Sequence, residues 1–314
     1  MYSRYFVLFA ILFTGWFLRR INFLDDKMNH SVNKLIVYFA YPCLIVYNIG
    51  NLEMNSLLIT RFLITFAISL ACFYVYGLAA YGYSKARKFP AEKANVAELA
   101  MSAPNNAFMG FPVALIFFGE QGLLLMLAHN SAMNFYVFTY GLRVLRRNRG
   151  QKEGKSLETF MKAVSKFLLN PNILALVIGF ALSMIGISLP DPVNEYLMYI
   201  GNVSTPMAMI YIGSSLVGCR PADILKDSLI VESSVMKLIC LPLLTVFLIY
   251  FLPVAGLIKS IVVLGISLPT AAIVSMIAQQ EEQDVETVGL ILVLSTVASI
   301  ATVPGAISLI TYLF

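Results

Sequence analysis

The chain is short of charge and short of the residues that carry out chemistry. Charged residues make up 12% of its 314 residues, about half of the roughly 25% usual in a soluble domain. Hydrophobic residues make up 59%, more apolar surface than so little polar sequence can cover, so lipid must be the solvent for most of the chain. There are two histidines, His30 and His129, and four cysteines, Cys43, Cys72, Cys219 and Cys240. The sequence holds no His-Glu-x-x-His run, no glycine-rich phosphate loop and no Cys/His metal spacing. An enzyme, a metal centre, a bound cofactor and direct use of ATP are therefore not expected. The widely spaced cysteines read as small packing residues. The net charge of +5 does not point to nucleic acid, because the basic residues sit in short loops and so carry topology instead.

Long apolar runs dominate what is present. A bilayer core takes about 20 apolar residues per helix, which predicts ten membrane helices, roughly Tyr5–Leu18, Val32–Ile49, Leu57–Tyr83, Val96–Phe118, Leu123–Leu145, Ile173–Ile187, Val193–Leu216, Leu225–Leu252, Ile258–Ala278 and Val285–Tyr312. The first lacks a small-residue cleavage site and is expected to be retained rather than removed as a signal peptide. One connection is long, a basic stretch at 146–169. With ten crossings, eighteen of the 22 Lys and Arg fall on one side. That side is expected to be cytoplasmic, with both termini outside.

The two halves resemble each other. Superposing them puts Gly15 on Gly179, Pro42 on Pro206 and Tyr47 on Tyr211, and brings Pro104 within one residue of Pro269. Five helices per half is an odd number, so the second half enters the membrane inverted, an architecture of secondary transporters. Pro104 and Pro269 fall mid-span in helices 4 and 9. Proline removes a helix hydrogen bond and clashes with the preceding turn, at about 3 kcal/mol. Bare backbone at bilayer depth is tolerated only inside protein or beside water. A matched pair of such breaks marks a midplane binding site, and each exposes a helix N-terminus that favours an anion. Asn105 and Asn106 add amide donors at the first break and Thr270 a hydroxyl at the second. The alternative is that both prolines only kink packed helices.

Four stretches carry a family resemblance: Ser102-Ala-Pro-Asn-Asn-Ala-Phe-Met-Gly-Phe-Pro112, Asn170-Pro-Asn-Ile, Pro206-Met-Ala-Met-Ile-Tyr-Ile-Gly-Ser-Ser-Leu216 and Leu268-Pro-Thr-Ala271. The chain resembles the auxin efflux carrier family, plant auxin exporters and bacterial malate or malonate permeases, over essentially its whole length. The resemblance implies an all-α membrane fold of two five-helix inverted repeats (1–145 and 170–314) with crossing broken helices 4 and 9, akin to bile-acid symporters and sodium/proton antiporters. It implies a scaffold of helices 1, 2, 6 and 7 that also forms a homodimer, and a mobile transport domain of helices 3–5 and 8–10. It implies a small organic anion bound by its carboxylate near Asn105 and the two prolines, with Pro104, Asn106, Pro269 and Thr270 around it. Plant members carry a long hydrophilic central loop. The short basic one here points to a bacterial-type plasma-membrane protein.

Other polar residues fall within the predicted spans. Lys237 lies midway along helix 8, where an ammonium costs roughly 2.5–3.5 kcal/mol. It reads as a fixed cation in place of a bound sodium, or as a structural ion pair with Glu232 or Glu98. Glu98 is a candidate for proton coupling or a charge at a loop edge. His129 is a candidate titrating group or a packed hydrogen-bonding residue, and Asn130 and Asn134 are possible pathway residues on the same helix. Asn202, Ser204 and Thr205 line the path from the scaffold side or bond between helices. The acidic run Glu281, Glu282, Asp284 and Glu286 reads as a solvated loop. The function expected is export or exchange of small mono- or dicarboxylates. A receptor on the same fold is the second hypothesis, and a channel, lacking a selectivity-filter ring, the third. The charge bias predicts that epitopes at both termini are reached from outside intact cells while one inserted after Gly150 is not. Labelling of the Gly150 site from outside would reverse the assignment.

Overall fold

The computed structural model describes residues 2–147, 165, 168–217 and 227–314. Cys219, Arg220, Lys226 and most of the 146–169 linker lie outside the described residues. Among the described residues the chain is helical, with no strand: α1 Tyr2–Arg20, α2 Asp26–Gly50, α3 Ser56–Ala86, α4 Ala91–Ser102, α5 Asn106–Arg146, α6 Pro171–Ile185, α7 Asp191–Ser215, α8 Ser228–Ile249, α9 Gly256–Ser267, α10 Ala272–Gln280 and α11 Val285–Leu313. Five of these, α2, α3, α5, α8 and α11, are long and apolar enough to cross a membrane. At 41 residues, α5 would run about 60 Å if straight, twice the thickness of a bilayer core. It is instead bent at Gly119, whose φ of 65° and ψ of −159° suit a residue without Cβ, and so has two legs.

The helices start where short polar side chains can cap them. Asp25, Asn55, Asn170, Asp227 and Asp284 each accept a hydrogen bond from a first-turn N–H of α2, α3, α6, α8 and α11, as N-caps do. Three prolines inside the helical runs leave a common mark. Pro42, Pro112 and Pro242 each follow a single widened π turn, Ile36–Ala40, Asn106–Gly110 and Met236–Cys240. Each proline would clash with the carbonyl four residues earlier, and the widened turn moves that carbonyl aside.

The helices pack as two groups. In the first, α1 and α2 lie against α7, and α2 also lies against α6. Small residues set these crossings, because in lipid close backbone approach replaces the hydrophobic drive between helices. A Cβ on Gly213 would stand 1.8 Å from the Leu12 carbonyl oxygen, and one on Gly15 2.2 Å from that of Ile210. Ser183 Oγ donates to the Leu52 carbonyl, and Asn51 donates to Asn194 Oδ1 at 2.8 Å. The second group packs α3 on α4 and α5, α9 on α5 and α11, and α11 on α4, α8 and α10.

Four ion pairs gather the ends of α3, α5 and α10, the start of α8 and the first two turns of α4 at one end of the bundle. They are Arg87–Glu232 at 2.5 Å, Lys93–Asp227 at 3.6 Å, Arg146–Glu281 at 2.5 Å and Arg147–Glu98 at 2.9 Å. The acidic run is therefore not simply solvated. Glu281 holds Arg146 through both oxygens and Asp284 caps α11, because α10 ends against α5.

Gly213→Ala is expected to lower the melting temperature in detergent, at a cost of about 1–3 kcal/mol or more, because backbone rather than a flexible side chain blocks the new methyl. Gly305, with nothing within 4 Å of its Cβ position, is expected to accept alanine without loss. Equal melting of both variants would show that α1 and α7 do not approach this closely.

Candidate functional site

Two helices stop and restart at the same depth. α4 ends at Ser102 and α5 begins at Asn106; α9 ends at Ser267 and α10 begins at Ala272. The intervening segments, each holding a proline, run antiparallel and pair at Pro104 and Thr270. Asn105 N–H donates to the Pro269 carbonyl at 2.8 Å, and Ala271 N–H to the Ala103 carbonyl at 2.9 Å. Each break thus supplies the partners that the other lacks, which is how non-helical backbone survives at this depth.

Side chains satisfy the helix ends around the crossing. Thr270 Oγ1 donates to the Ala100 carbonyl in the last turn of α4 at 2.9 Å, and Thr270 N–H donates to Ser295 Oγ of α11 at 3.1 Å. Lys237, fully buried, donates from Nζ to the Ile266 carbonyl in the last turn of α9 at 2.9 Å. A cation at a helix C-terminus complements the dipole there. Lys237 is not paired with either carboxylate considered for it. Glu232 is held by Arg87 and by Tyr83, and Glu98 by Arg147 and Tyr140. Its Nζ is met by the Ile266 carbonyl instead.

The two restarting N-termini differ. At α5 the Asn105 side chain accepts from Phe108 N–H at 3.3 Å and so caps the helix. At α10 the preceding residue is Ala271, which has no side-chain cap; Val274 N–H turns back to the Ala271 carbonyl at 3.1 Å, and the Ala272 and Ile273 N–H groups ahead of it have no capping side chain. A cavity of about 270 Å³ opens at this end of α10. Ala272, Ser275 and Met276 form one wall, Leu292 and Thr296 of α11 another, and Tyr211 and Ser215 of α7 the third, with Asn105 also on its lining. Asn105 uses Oδ1 for the cap, which leaves Nδ2 as its donor. The cavity lies between the two helix groups, where Phe108 stacks on Tyr211 with ring centroids 5.2 Å apart and Tyr41 meets Phe111 edge-on at 5.3 Å.

Of the residues expected at the site, Asn105 alone lines this cavity. Pro104, Pro269 and Thr270 build the crossing behind it. Asn106 is fully buried, with its amide nitrogen 3.6 Å from Met133 sulfur and its oxygen unpartnered among the described residues. Glu98 is neither at a loop edge nor at the crossing. It is 1% exposed inside α4, which begins at Ala91 rather than near Val96 because Pro90 starts the helix. His129 is fully buried on the second leg of α5 with Nδ1 2.8 Å from Ser69 Oγ. Its ring lies so close to Gly265 that a Cβ there would meet Nε2 at 2.2 Å, so His129 and Lys237 both reach the last turn of α9. Asn130 and Asn134 are buried beside it on α5, away from the cavity. Asn202 is exposed, Ser204 bonds back to the Gly201 carbonyl at 2.6 Å, and neither they nor Thr205 reach the lining. Helix rotation decides this: α7 turns Tyr211, Ile212 and Ser215 toward the crossing. Tyr211 stood in the repeat match with Tyr47, whereas Ser275, Leu292 and Thr296 carried no signal in the sequence.

Thr270→Val keeps the shape of the side chain and strands the Ala100 carbonyl, so a loss of about 1–3 kcal/mol is expected. Thermal unfolding in detergent checks this, and an unchanged midpoint would mean that the hydroxyl does not hold the crossing.

Comparison with known proteins finds relatives named as transporters. An uncharacterized transporter of Methanothermobacter thermautotrophicus is 24% identical over 94% of this chain and 93% of its own. An uncharacterized transporter of Methanocaldococcus jannaschii is 23% identical over 95% and 94%. A Rhizobium meliloti protein named "Putative malonate transporter" is 26% identical over 96% and 93%. The family described as "Membrane transport protein" matches residues 2–307, nearly the full length. The chain belongs to that family, the family of the auxin efflux carriers.

Proposed function

We propose that this membrane transport protein is a secondary transporter of small organic anions, with the carboxylate bound in the cavity at the start of α10. The observation that carries the reading is the N-terminus of α10, without a side-chain cap and turned to a cavity that Asn105 also lines. Helix N–H groups and their dipole favour an anion, and the hydroxyls of Tyr211 and Ser275 can donate to the same carboxylate, while those of Ser215 and Thr296 are given to the Tyr211 and Leu292 carbonyls. The lining has no charged side chain, and Ile212, Met276, Leu292 and Val293 offer an apolar wall to the body of the ligand. Both mono- and dicarboxylates such as malate, malonate or auxin-like acids fall within the class. A carboxylate with an apolar body suits the wall best.

In this reading the chain crosses the membrane ten times as two inverted repeats. The ion pairs that gather the junctions between helices 3 and 4, 5 and 6, 7 and 8, and 9 and 10 at one end of the bundle support that count. The cavity lies at the boundary between α1, α2, α6 and α7 and the remaining helices, so sliding of the second group against the first would carry the ligand across. The apolar residues exposed on α1 and α6, among them Phe6, Phe13, Leu174 and Val177, suit lipid or a second copy of the scaffold. Lys237 fixes a positive charge at the end of α9 where a transporter using sodium would bind the ion.

Asn105→Asp keeps the cap on α5 but removes the amide donor and adds a negative charge. It is expected to leave melting nearly unchanged and to weaken anion binding at least tenfold, since one charge-assisted hydrogen bond is worth about 1.5–3 kcal/mol. Currents on solid-supported membranes carrying the purified protein, with malate, malonate, succinate, lactate and indole-3-acetate, measure this. Normal currents in the variant would remove Asn105 from the site. Lys237→Gln is expected to abolish transport or make it depend on sodium. Unaltered sodium-free transport would leave Lys237 a structural role.

A further inference from the structure

A second cavity, of about 320 Å³, opens at the charged end of the bundle, between the end of α3, the start of α4 and the end of α5. Lys85, Lys88 and Arg147 line it, together with Ser84, Asn95 and Glu98. It shares no residue with the cavity at α10. Arg147 is committed, binding Glu98 and lying 4.7 Å over the Tyr81 ring. Lys85 and Lys88 form no ion pair with a carboxylate of the described residues. Two neutral groups on the lining are also unserved: Ser84 Oγ and Asn95 Nδ2 are buried with no hydrogen-bond partner among the described residues. Ser84 is 4% exposed and Asn95 3%.

Placement of lysines by membrane topology explains the charges and nothing else. It does not explain a buried hydroxyl and a buried amide left open beside them, since each such group costs about 1–3 kcal/mol unless something bonds to it. The neighbouring cavity makes the contrast. It is lined by Arg87, Lys93 and Asp227 among others, and there Arg87 is taken by Glu232 and Lys93 by Asp227. The two cavities share Lys88 and Phe89, and beyond Lys88 the first has its cations paired, whereas the second adds Lys85, which has no carboxylate partner among the described residues. Ammonium groups without a carboxylate partner, Lys85 lying 5.9 Å over the Tyr81 ring, beside open donors match a ligand that is anionic and rich in acceptor oxygens, which describes a phosphate group. Tyr81 on the same lining is a residue type that settles at the membrane–water boundary, where phospholipid headgroups lie and basic pockets between helices hold them.

We infer that this cavity is a phosphate-binding site, separate from the proposed transport site, that takes the phosphodiester of an anionic phospholipid or a free phosphate. The site ties the α3–α4 junction to the end of α5, so a bound phosphate stiffens the group of helices that holds the crossing.

The test uses the purified full-length chain in detergent and reads thermal unfolding, so its result does not depend on whether any anion is transported. The probes are dioctanoyl phosphatidylglycerol, dioctanoyl phosphatidylcholine and inorganic phosphate. A saturable rise in melting temperature with phosphatidylglycerol, and a weaker one with phosphatidylcholine, is expected. The same rise with inorganic phosphate would assign the site to a soluble ligand, and a rise with the lipid alone would assign it to a headgroup. The Lys85→Gln/Lys88→Gln double variant is expected to bind roughly thirtyfold more weakly, at about 1 kcal/mol for each lysine. Lys27→Gln/Lys34→Gln, which removes the same charge from another exposed pair, is expected to bind as the parent does. Ser84→Ala removes an unserved hydroxyl and is expected to raise the melting point without ligand while shrinking the rise with it. No saturable rise with either phosphate source, or an equal loss in the two double variants, would overturn the assignment.

Discussion

The structure depends on the backbone pairing between the two broken helices. Two half-helices that stop inside a membrane protein leave N–H and C=O groups where water cannot reach them. The exchange between Asn105 and Pro269 and between Ala103 and Ala271 satisfies those groups, and Thr270 and Lys237 satisfy the last carbonyls of α4 and α9. Every neighbouring element serves the pairing. α11 supplies Ser295, α8 supplies Lys237, and α5 brings His129 against Gly265.

The pairing also produces an asymmetry on which the proposed chemistry rests. Both prolines interrupt helices, but the residues after them differ. Asn105 closes the N-terminus of α5 with its own side chain, whereas Ala271 has no side chain with which to cap α10. The crossing therefore has one capped and one open helix start, and the open one faces the cavity. Lys237 stands at the opposite kind of terminus, the carbonyl end of α9. The proposed fixed cation and the proposed anion would thus occupy the two poles that the broken helices create.

The ion pairs at the charged end act at another level. Arg87–Glu232 and Arg146–Glu281 join residues far apart in the chain, one from each half, so they bind the first half to the second where α3, α5, α8 and α10 meet. Exposed pairs of this kind contribute little each. Arg147–Glu98 is different, because its carboxylate is almost wholly buried and would be costly to leave alone. It fixes the end of α5 against α4 beside the cavity inferred to hold phosphate.

The sequence by itself determined the solvent, the helical class and the points of rupture. Composition required lipid, apolar runs placed the helices to within a few residues, and Pro104 and Pro269 marked where two of them had to break. All of these follow from local chemistry, the length of an apolar run or the missing N–H of proline, and so can be read along the chain. The partners of buried polar groups could not be read that way. Lys237 was open to pairing with Glu232 or Glu98, and only packing showed that both carboxylates are drawn to arginines while the lysine meets the Ile266 carbonyl. Asn202 and Tyr211 lie on one helix with similar prospects, and the rotation of α7 turned the first to the exterior and the second to the cavity. Ser275, Leu292 and Thr296 are unremarked in apolar sequence and reach the site only because α10 and α11 fold back together. Which face of a helix looks inward depends on all its neighbours at once, and that information belongs to the tertiary structure alone.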